Sequence, residues 1–294
     1  MTSNRQRNDR KEKLGPKGVK AEGRSRTPAG TISNPGQRRR AEKADAEWLW
    51  GIHAVTAALE NPARSRLKRL LATQERAKAL GNLLDRDCAV EIMSASEIGQ
   101  ALPSGAVHQG LALRAPLLEP TALETLASPA HGVLLMLDQV TDPQNVGAVF
   151  RSAAAFGARG IIVQDRHAPP LTGALAKAAA GAIDRIPHAR ETNLSRALEK
   201  LEAMGWRAVG LDGGADAALA DVLDGRPTVL VVGSEGDGLR RLVSEHCDVL
   251  AKIPMPGGFE SLNVSAAAAV ALYEASRPGR PLTKSILEPV PKTP

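Results

Sequence analysis

Three short stretches hold the residues that could do chemistry. In TDPQNVGAVFRSAAAFGA (141–158), Asn145 precedes Arg151 by six residues, and small residues surround the arginine. In VLVVGSEGDGLRRLV (229–243), Glu235 sits within a glycine-rich turn. In KIPMPGGFESLNVSAAAAV (252–270), Ser261, Asn263 and Ser265 crowd the mouth of an alanine-rich segment. An arginine delivered to a cleft can grip a phosphate or stabilise developing negative charge. A glycine-rich turn lets backbone N–H groups approach a ligand. This one is neither GxxxxGK[ST] nor GxGxxG, so it fits neither a nucleotide-hydrolase loop nor a dinucleotide fingerprint. Glu235 would repel a phosphate, so the turn suits a neutral or cationic ligand. On these residues alone, structural readings stay open. Asn145 can be a helix cap and Arg151 an ion-pair partner; the other two loops can be a tight turn and a generous capping region.

The elements that must position these residues follow a regular rhythm after residue 131. HGVLLMLD, RGIIVQ, WRAVGLD, TVLVVG and VLAKIPM read as strands, and amphipathic or alanine-rich helical stretches alternate with them. That alternation predicts a mostly parallel sheet covered on both faces. In such sheets ligands bind at the carboxyl ends of the strands, where all three stretches fall. With a helix starting near Val146 and Asn145 as its cap, about 100° per residue places Val146, Val149, Phe150 and Ala153 on the core stripe. Arg151 falls off that stripe among Gly147, Ala148, Ala154, Ala155 and Ala158. A face so small suggests close packing by another backbone or subunit.

Ahead of this lies a smaller α/β unit. WLWGIHAVTAALEN enters a helix at Gly51, RLKRLLAT and CAVEIM read as strands, SASEIGQAL as a short helix capped by Ser96, and GAVHQGLALRA as a loop entering a strand. The expected organisation is an arm over 1–46, a small unit over 47–115, a proline-bracketed linker over 116–130, a larger unit over 131–280 and a loose tail over 281–294.

Composition narrows the function classes. Hydrophobic residues make up 43% of the 294 and aromatics 2%, so the core is aliphatic, and a stacking platform of aromatic residues is not expected. The net charge of +6 is uneven: residues 1–43 carry 13 Lys+Arg against 4 Asp+Glu, and the remainder is net acidic. A Gly-, Pro- and Ser-rich cationic arm is expected to be disordered and suits a polyanion such as RNA; a DNA partner is not expected. No run of about 18 apolar residues is present, so no membrane span is expected. Cys88 and Cys247 lie far apart, which fits a reducing cytoplasm and offers no metal motif.

Taken together and in this order, the three stretches resemble the SpoU/TrmH family of RNA ribose 2′-O-methyltransferases, within the SPOUT superfamily. The resemblance covers roughly residues 131–277 and rests on Asn145-x5-Arg151, GSEGDG (233–238) and IPM…SLNVS (253–265). WGIHAV (50–55) and VHQG (107–110) resemble the N-terminal RNA-binding domain of the family's bacterial 23S rRNA guanosine branch. The resemblance implies a trefoil-knotted α/β fold with a mostly parallel sheet, a homodimer, and S-adenosylmethionine as cofactor with no metal. It places the cofactor near Gly233, Ile253 and Leu262, with Gly210, Leu211, Met255 and Gly257 as further contacts. It makes Arg151 catalytic, either as a base or as a cation that stabilises the forming alkoxide. Asn145 and Glu235 would orient Arg151 or the ribose, with Ser261 and Asn263 completing the network. The implied substrate is a guanosine ribose of 23S rRNA. A tRNA substrate, or a non-catalytic ribosome-assembly role on the same fold, are the alternatives.

Overall fold

The computed structural model describes residues 47–277 except 65, 66, 68, 86, 87, 259 and 260. The basic arm and the C-terminal tail lie outside the described residues. Two sheets organise the rest. The smaller has strand order β1-β4-β2-β3, from β1 (Glu47–Trp50), β2 (Arg69–Ala72), β3 (Ala89–Ile92) and β4 (Leu111–Ala115). Only its β2–β3 pair is parallel. Helices α1 (Ile52–Glu60), α2 (Gln74–Leu80) and α3 (Ala95–Ala101) accompany it. The cap of α3 is Ser94, not Ser96: its hydroxyl accepts from Glu97 N while Glu97 accepts from Ser94 N. That reciprocal box satisfies two orphan N–H groups and outcompetes a single hydroxyl two residues on.

The larger sheet is parallel throughout, as the alternating pattern predicts. Its order is β10-β8-β9-β5-β6-β7. The strands are β5 (Val133–Leu137), β6 (Gly160–Gln164), β7 (His188–Glu191), β8 (Arg207–Leu211), β9 (Thr228–Val232) and β10 (Val249–Ala251). Both faces of β5, β6 and β9 are buried, which is why those strands read as unbroken apolar runs. One face packs against α5 (Pro143–Ala155), α6 (Gly173–Ala179) and α10 (Val264–Ser276). The other packs against α4 (Leu123–Ala127) and α7 (Leu194–Ala203). The short α8 (Leu219–Val222) and α9 (Arg241–Glu245) complete the set. Helix α4 lies inside the stretch expected to link the two units. It buries Leu123, Leu126 and Ala127 in the larger core, and Trp206 Nε1 donates to Ala127 O at 2.9 Å. The prolines bracketing that stretch mark its turns, while its Leu/Ala spacing supplies a buried face.

The two units meet closely over α6. Trp50 lies on Gly173, where an added Cβ would stand 3.1 Å from the ring. Gln109 Oε1 accepts from Lys177 Nζ and from Ile52 N. Gly181 faces Ala57 Cβ and the His53 carbonyl so tightly that a side chain has no room. Behind Gly181, Arg64 and Asp184 form an ion pair with both side chains almost fully buried. Asn61 also donates to Asp184 at 3.0 Å, and Arg64 Nη1 donates to the Pro116 carbonyl at 2.8 Å. Residues of both N-terminal motifs, Trp50 and Gln109, therefore dock one unit onto the other.

His188 sets an acid limit on stability. It is 3% exposed on β7, with Phe150 of α5 edge-on to its ring. Burial, aided by the nearby Arg190 charge, pushes its pKa from 6.5 down to about 4. The unfolded chain protonates this imidazole below its ordinary pKa while the folded chain resists. The contribution is therefore complete above pH 6.5 and is lost as pH falls from 6.5 toward 4, by about 3 kcal/mol. Denaturant melts from pH 7 to pH 4 should show that decline, and His188→Gln should flatten it by a comparable amount. An unchanged pH slope in the variant would remove His188 as the cause.

Candidate active site

Helix α5 starts earlier than its apolar period suggests, and this changes the role of Asn145. Asp142 is the cap: its carboxylate accepts from Gln144 N at 3.3 Å and Asn145 N at 3.1 Å. Pro143 takes the first helical position, where its missing N–H costs nothing. A carboxylate next to the positive end of a helix outcompetes an amide. Asn145 is therefore not the cap, and its side chain is free for other work. The core stripe is as expected: Val146, Val149, Phe150 and Ala153 are all buried. Gly147 is buried too, because α6 passes over it. A Cβ there would fall 2.5 Å from the Leu175 carbonyl oxygen and 2.6 Å from Ala178 Cβ. Part of the small-residue face thus serves a neighbour within the chain.

The freed Asn145 side chain enters a triangle of hydrogen bonds. Its Nδ2 donates to Glu235 Oε1 at 3.0 Å, and its Oδ1 accepts from Asn263 Nδ2 at 3.0 Å. Asn263 Nδ2 also donates to Glu235 Oε1 at 2.5 Å. The orientation of Asn263 is fixed by its other end. Its Oδ1 caps α10, accepting from Ser265 N at 3.0 Å and Ala266 N at 3.3 Å. Ser265 Oγ also donates to that oxygen. The amide nitrogen must then face Glu235. Glu235 additionally accepts from Val264 N at 3.4 Å, in the first turn of α10. All three sequence motifs therefore converge through one carboxylate, though 118 residues separate Asn145 from Asn263.

Beside this triangle opens a cleft of about 590 Å³ at the carboxyl ends of β8 and β9. Gly233, Glu235, Leu211, Ser261, Leu262 and Asn263 line it, all of them singled out from the sequence. A smaller recess of about 130 Å³ shares Leu211, Ser261 and Leu262 and adds Ile253 and Met255. Two expected contacts line neither space. Gly210 lies in β8, and a Cβ there would strike Leu250, Leu239 and Cys247, so its smallness serves packing. Gly257 is exposed with open space around it. Arg151 is exposed and lines neither space; it makes no hydrogen bond to another described residue.

The turn 233–238 has a shape only glycine allows. Ser234 and Gly238 exchange backbone hydrogen bonds at 3.1 and 3.2 Å, folding the turn back on itself. A Cβ on Gly233 would overlap the Gly238 carbonyl. The turn is also anchored from below by a residue that the motifs do not reveal. Asp138, fully buried after β5, accepts from Arg240 N at 2.9 Å and Arg240 Nε at 2.7 Å. The signal available was a lone carboxylate ending an apolar strand, where burial demands a partner. Asp212 was missed as well. It lines the cleft and accepts from Gly214 N at 2.8 Å. The lining carries three carboxylates, from Asp212, Glu235 and Asp237, and no Lys or Arg. Such a cleft disfavours phosphate and accepts a polar, cationic ligand. Among the described residues no cluster of metal-ligating side chains occurs.

Comparison with known proteins agrees with this geometry. Residues 132–273 match the SpoU rRNA Methylase family, and residues 48–121 match the RNA 2′-O ribose methyltransferase substrate binding family. The chain is 41% identical over 247 residues to the 23S rRNA (guanosine-2′-O-)-methyltransferase RlmB of Xanthomonas campestris pv. campestris, covering 79% of this chain and 96% of that protein. It is 46% identical over 178 residues to an uncharacterized tRNA/rRNA methyltransferase of Mycobacterium avium, covering 59% of this chain and 58% of that one. Among solved structures, the SpoU methyltransferase AviRb from Streptomyces viridochromogenes in complex with the cofactor AdoMet superposes with a TM-score of 0.68 at 25% identity. It covers 83% of this chain and 93% of AviRb. The two family matches and a full-length relative at this identity place the chain in the SpoU rRNA methylase family.

Proposed function

We propose that this protein transfers a methyl group from S-adenosylmethionine to the ribose 2′-hydroxyl of a guanosine in 23S rRNA. The observation that carries the reading is the Asn145–Glu235–Asn263 triangle at the rim of a cleft free of Lys and Arg. The residues present fit the cofactor. Leu211, Leu262, Ile253 and Met255 offer apolar walls, the backbone of 233–238 offers hydrogen bonds, and Asp212 can accept from hydroxyls. When bound, S-adenosylmethionine supplies a methyl already made electrophilic by its sulfonium. Three carboxylates around the cleft favour that positive charge.

The chain's own residues supply alignment. Glu235, held by two amides and the first turn of α10, is a fixed acceptor for a hydroxyl at the rim. Ser261 lines the cleft and can complete that contact. Arg151 stands six residues beyond Asn145 on α5, about 9 Å along the axis. It is assigned to the ribose and its flanking phosphate, where a guanidinium stabilises developing negative charge. Positioning of this kind supplies much of a transfer rate.

The reading includes a homodimer. Exposed Leu262, Val270 and Tyr273 on and before α10 support an apolar contact, and Arg151 projects from one chain without entering that chain's cleft. It also includes the trefoil knot of the family, whose loops would hold the turn 233–238 and residues 253–255 and 261–263. A cytoplasmic location goes with an rRNA substrate; no helix of the described residues is long and apolar enough to cross a membrane.

The direct test is transfer of labelled methyl from S-adenosylmethionine to 23S rRNA lacking the modification, followed by mapping of 2′-O-methyl positions. Labelling of one guanosine is expected. Labelling of tRNA alone, or of no RNA, would overturn the substrate or the chemistry. Gly233→Ala tests the cofactor site: the added methyl forces the turn apart, and S-adenosylmethionine should bind about tenfold or more weaker in a calorimetric titration. Wild-type affinity would move the cofactor elsewhere.

A further inference from the structure

A second cavity lies at the other side of the parallel sheet and belongs to none of the three motifs. It measures about 410 Å³ and sits where the segment after β4 runs beside the edge strand β7 and the loop that follows β6. Its walls include Leu117, Pro120, Pro170 and Leu171. Its polar groups are Glu119, His188 and Arg190. The segment is fastened there, since Thr121 N donates to the His188 carbonyl at 2.8 Å.

Two features point to a ligand. The His188 side chain is 97% buried yet makes no hydrogen bond to another described residue. His188 forms part of the cavity wall, so a ligand there would meet its imidazole. The imidazole is neutral, its pKa pushed down to about 4, and presents one donor and one acceptor. Arg190 is only loosely engaged. Its Nη1 lies 3.4 Å from the Asp165 carbonyl and 3.5 Å from Asp165 Oδ1, and its Nη2 lies 3.3 Å from the Pro169 carbonyl. These long contacts leave a guanidinium fork able to turn to a better acceptor.

We propose that this cavity takes an unstacked guanine base of the substrate RNA, flanking the nucleotide whose ribose enters the cleft; the RNA part rests on the function proposed above. Guanine matches the two charged groups of the cavity. Its O6/N7 edge suits the bidentate fork of Arg190, and its N1–H and amino group suit the Glu119 carboxylate. The Leu and Pro side chains suit its flat faces. Adenine presents a donor where Arg190 needs an acceptor and lacks the N1–H. The location is also apt. Phe150, whose centroid lies 6.4 Å from the His188 ring, immediately precedes Arg151. Two further strand spacings, on the order of 10 Å, separate β6 from β9 and the cleft. An unpaired strand could reach both sites while passing Arg151.

The test uses the full-length protein with ¹⁵N-labelled histidine, titrated with guanosine monophosphate, adenosine monophosphate and inorganic phosphate. Guanosine monophosphate alone should shift the His188 ring signals. Arg190→Ala and Glu119→Gln, both on partly exposed side chains, should each weaken that binding about tenfold or more. Each should raise KM for 23S rRNA by a similar factor, with kcat and S-adenosylmethionine affinity near wild type. Equal shifts with the adenine nucleotide or with phosphate would overturn the guanine assignment. Guanine binding with an unchanged rRNA KM in both variants would overturn the RNA assignment. Guanine binding in a protein that methylates no RNA would sink the proposed function while leaving the guanine site standing.

Discussion

Arg151→Ala is expected to lower methyl transfer to rRNA by about 10²- to 10³-fold while leaving S-adenosylmethionine affinity unchanged. The separation follows from where the side chain sits. Arg151 lines neither the cleft nor its recess, and it holds no described residue in place. Its truncation therefore leaves the Asn145–Glu235–Asn263 triangle and the glycine turn intact. Only a group that acts on the reacting ribose can cost that much from so exposed a position. Arg151→Lys keeps the charge but loses the fork, so it should recover part of the loss. A pH–rate profile separates the two roles open to the residue. If Arg151 is a base, the rate rises as it deprotonates, and the Lys variant moves that rising limb to lower pH. If it is a fixed cation, the limb stays and only the height changes. Near-normal turnover in Arg151→Ala would end its assignment altogether.

The sequence reached the site further than it reached the way the site is held. Alternation of apolar runs and helical stretches was enough for the parallel sheet, because strands buried on both faces have few other compositions open to them. The core stripe of α5 was legible for the same reason: Val146, Val149, Phe150 and Ala153 repeat at the helical period. The cap was not, because Asp142, Asn145 and Pro143 all suit a helix start. The choice between them depends on Glu235, which lies 90 residues away and claims the Asn145 amide. Local propensity cannot see such a competitor. At Gly210, which the resemblance offered as a possible cofactor contact, the packing was hidden: an added Cβ would meet Leu239, Leu250 and Cys247. Asp138 was silent because its meaning comes wholly from Arg240. The docking of the smaller unit was equally hidden. WGIHAV and VHQG read only as a helix entry and a loop, and nothing local to them shows Gln109 on Lys177 or Trp50 on Gly173.

That docking carries the largest stability effect expected in the molecule. Arg64 and Asp184 are both about 99% buried, one from the smaller unit and one from the turn after α6. Arg64→Ala leaves the Asp184 carboxylate with the Asn61 amide and without its guanidinium. An uncompensated buried charge of this kind costs about 3–5 kcal/mol. Denaturant melts of the full chain should show a loss of that size. The double replacement Arg64→Met with Asp184→Leu removes both charges and should recover most of it. A loss below about 1 kcal/mol in Arg64→Ala would mean that the pair is hydrated in solution and does not fasten the units. The effect should also spread in a definite direction. Gly181 abuts α1 on one side of α6, and Gly147 of α5 abuts α6 on the other, each without room for a Cβ. Loosening the first contact gives α6 freedom that the second must absorb. Amide exchange in Arg64→Ala should therefore quicken across 173–184 and then in α5, the helix that carries Asn145 and Arg151, while β8 and β9 keep wild-type protection. Exchange confined to the smaller unit would show that the two units fold independently, and that the precision of the catalytic helix owes nothing to the domain in front of it.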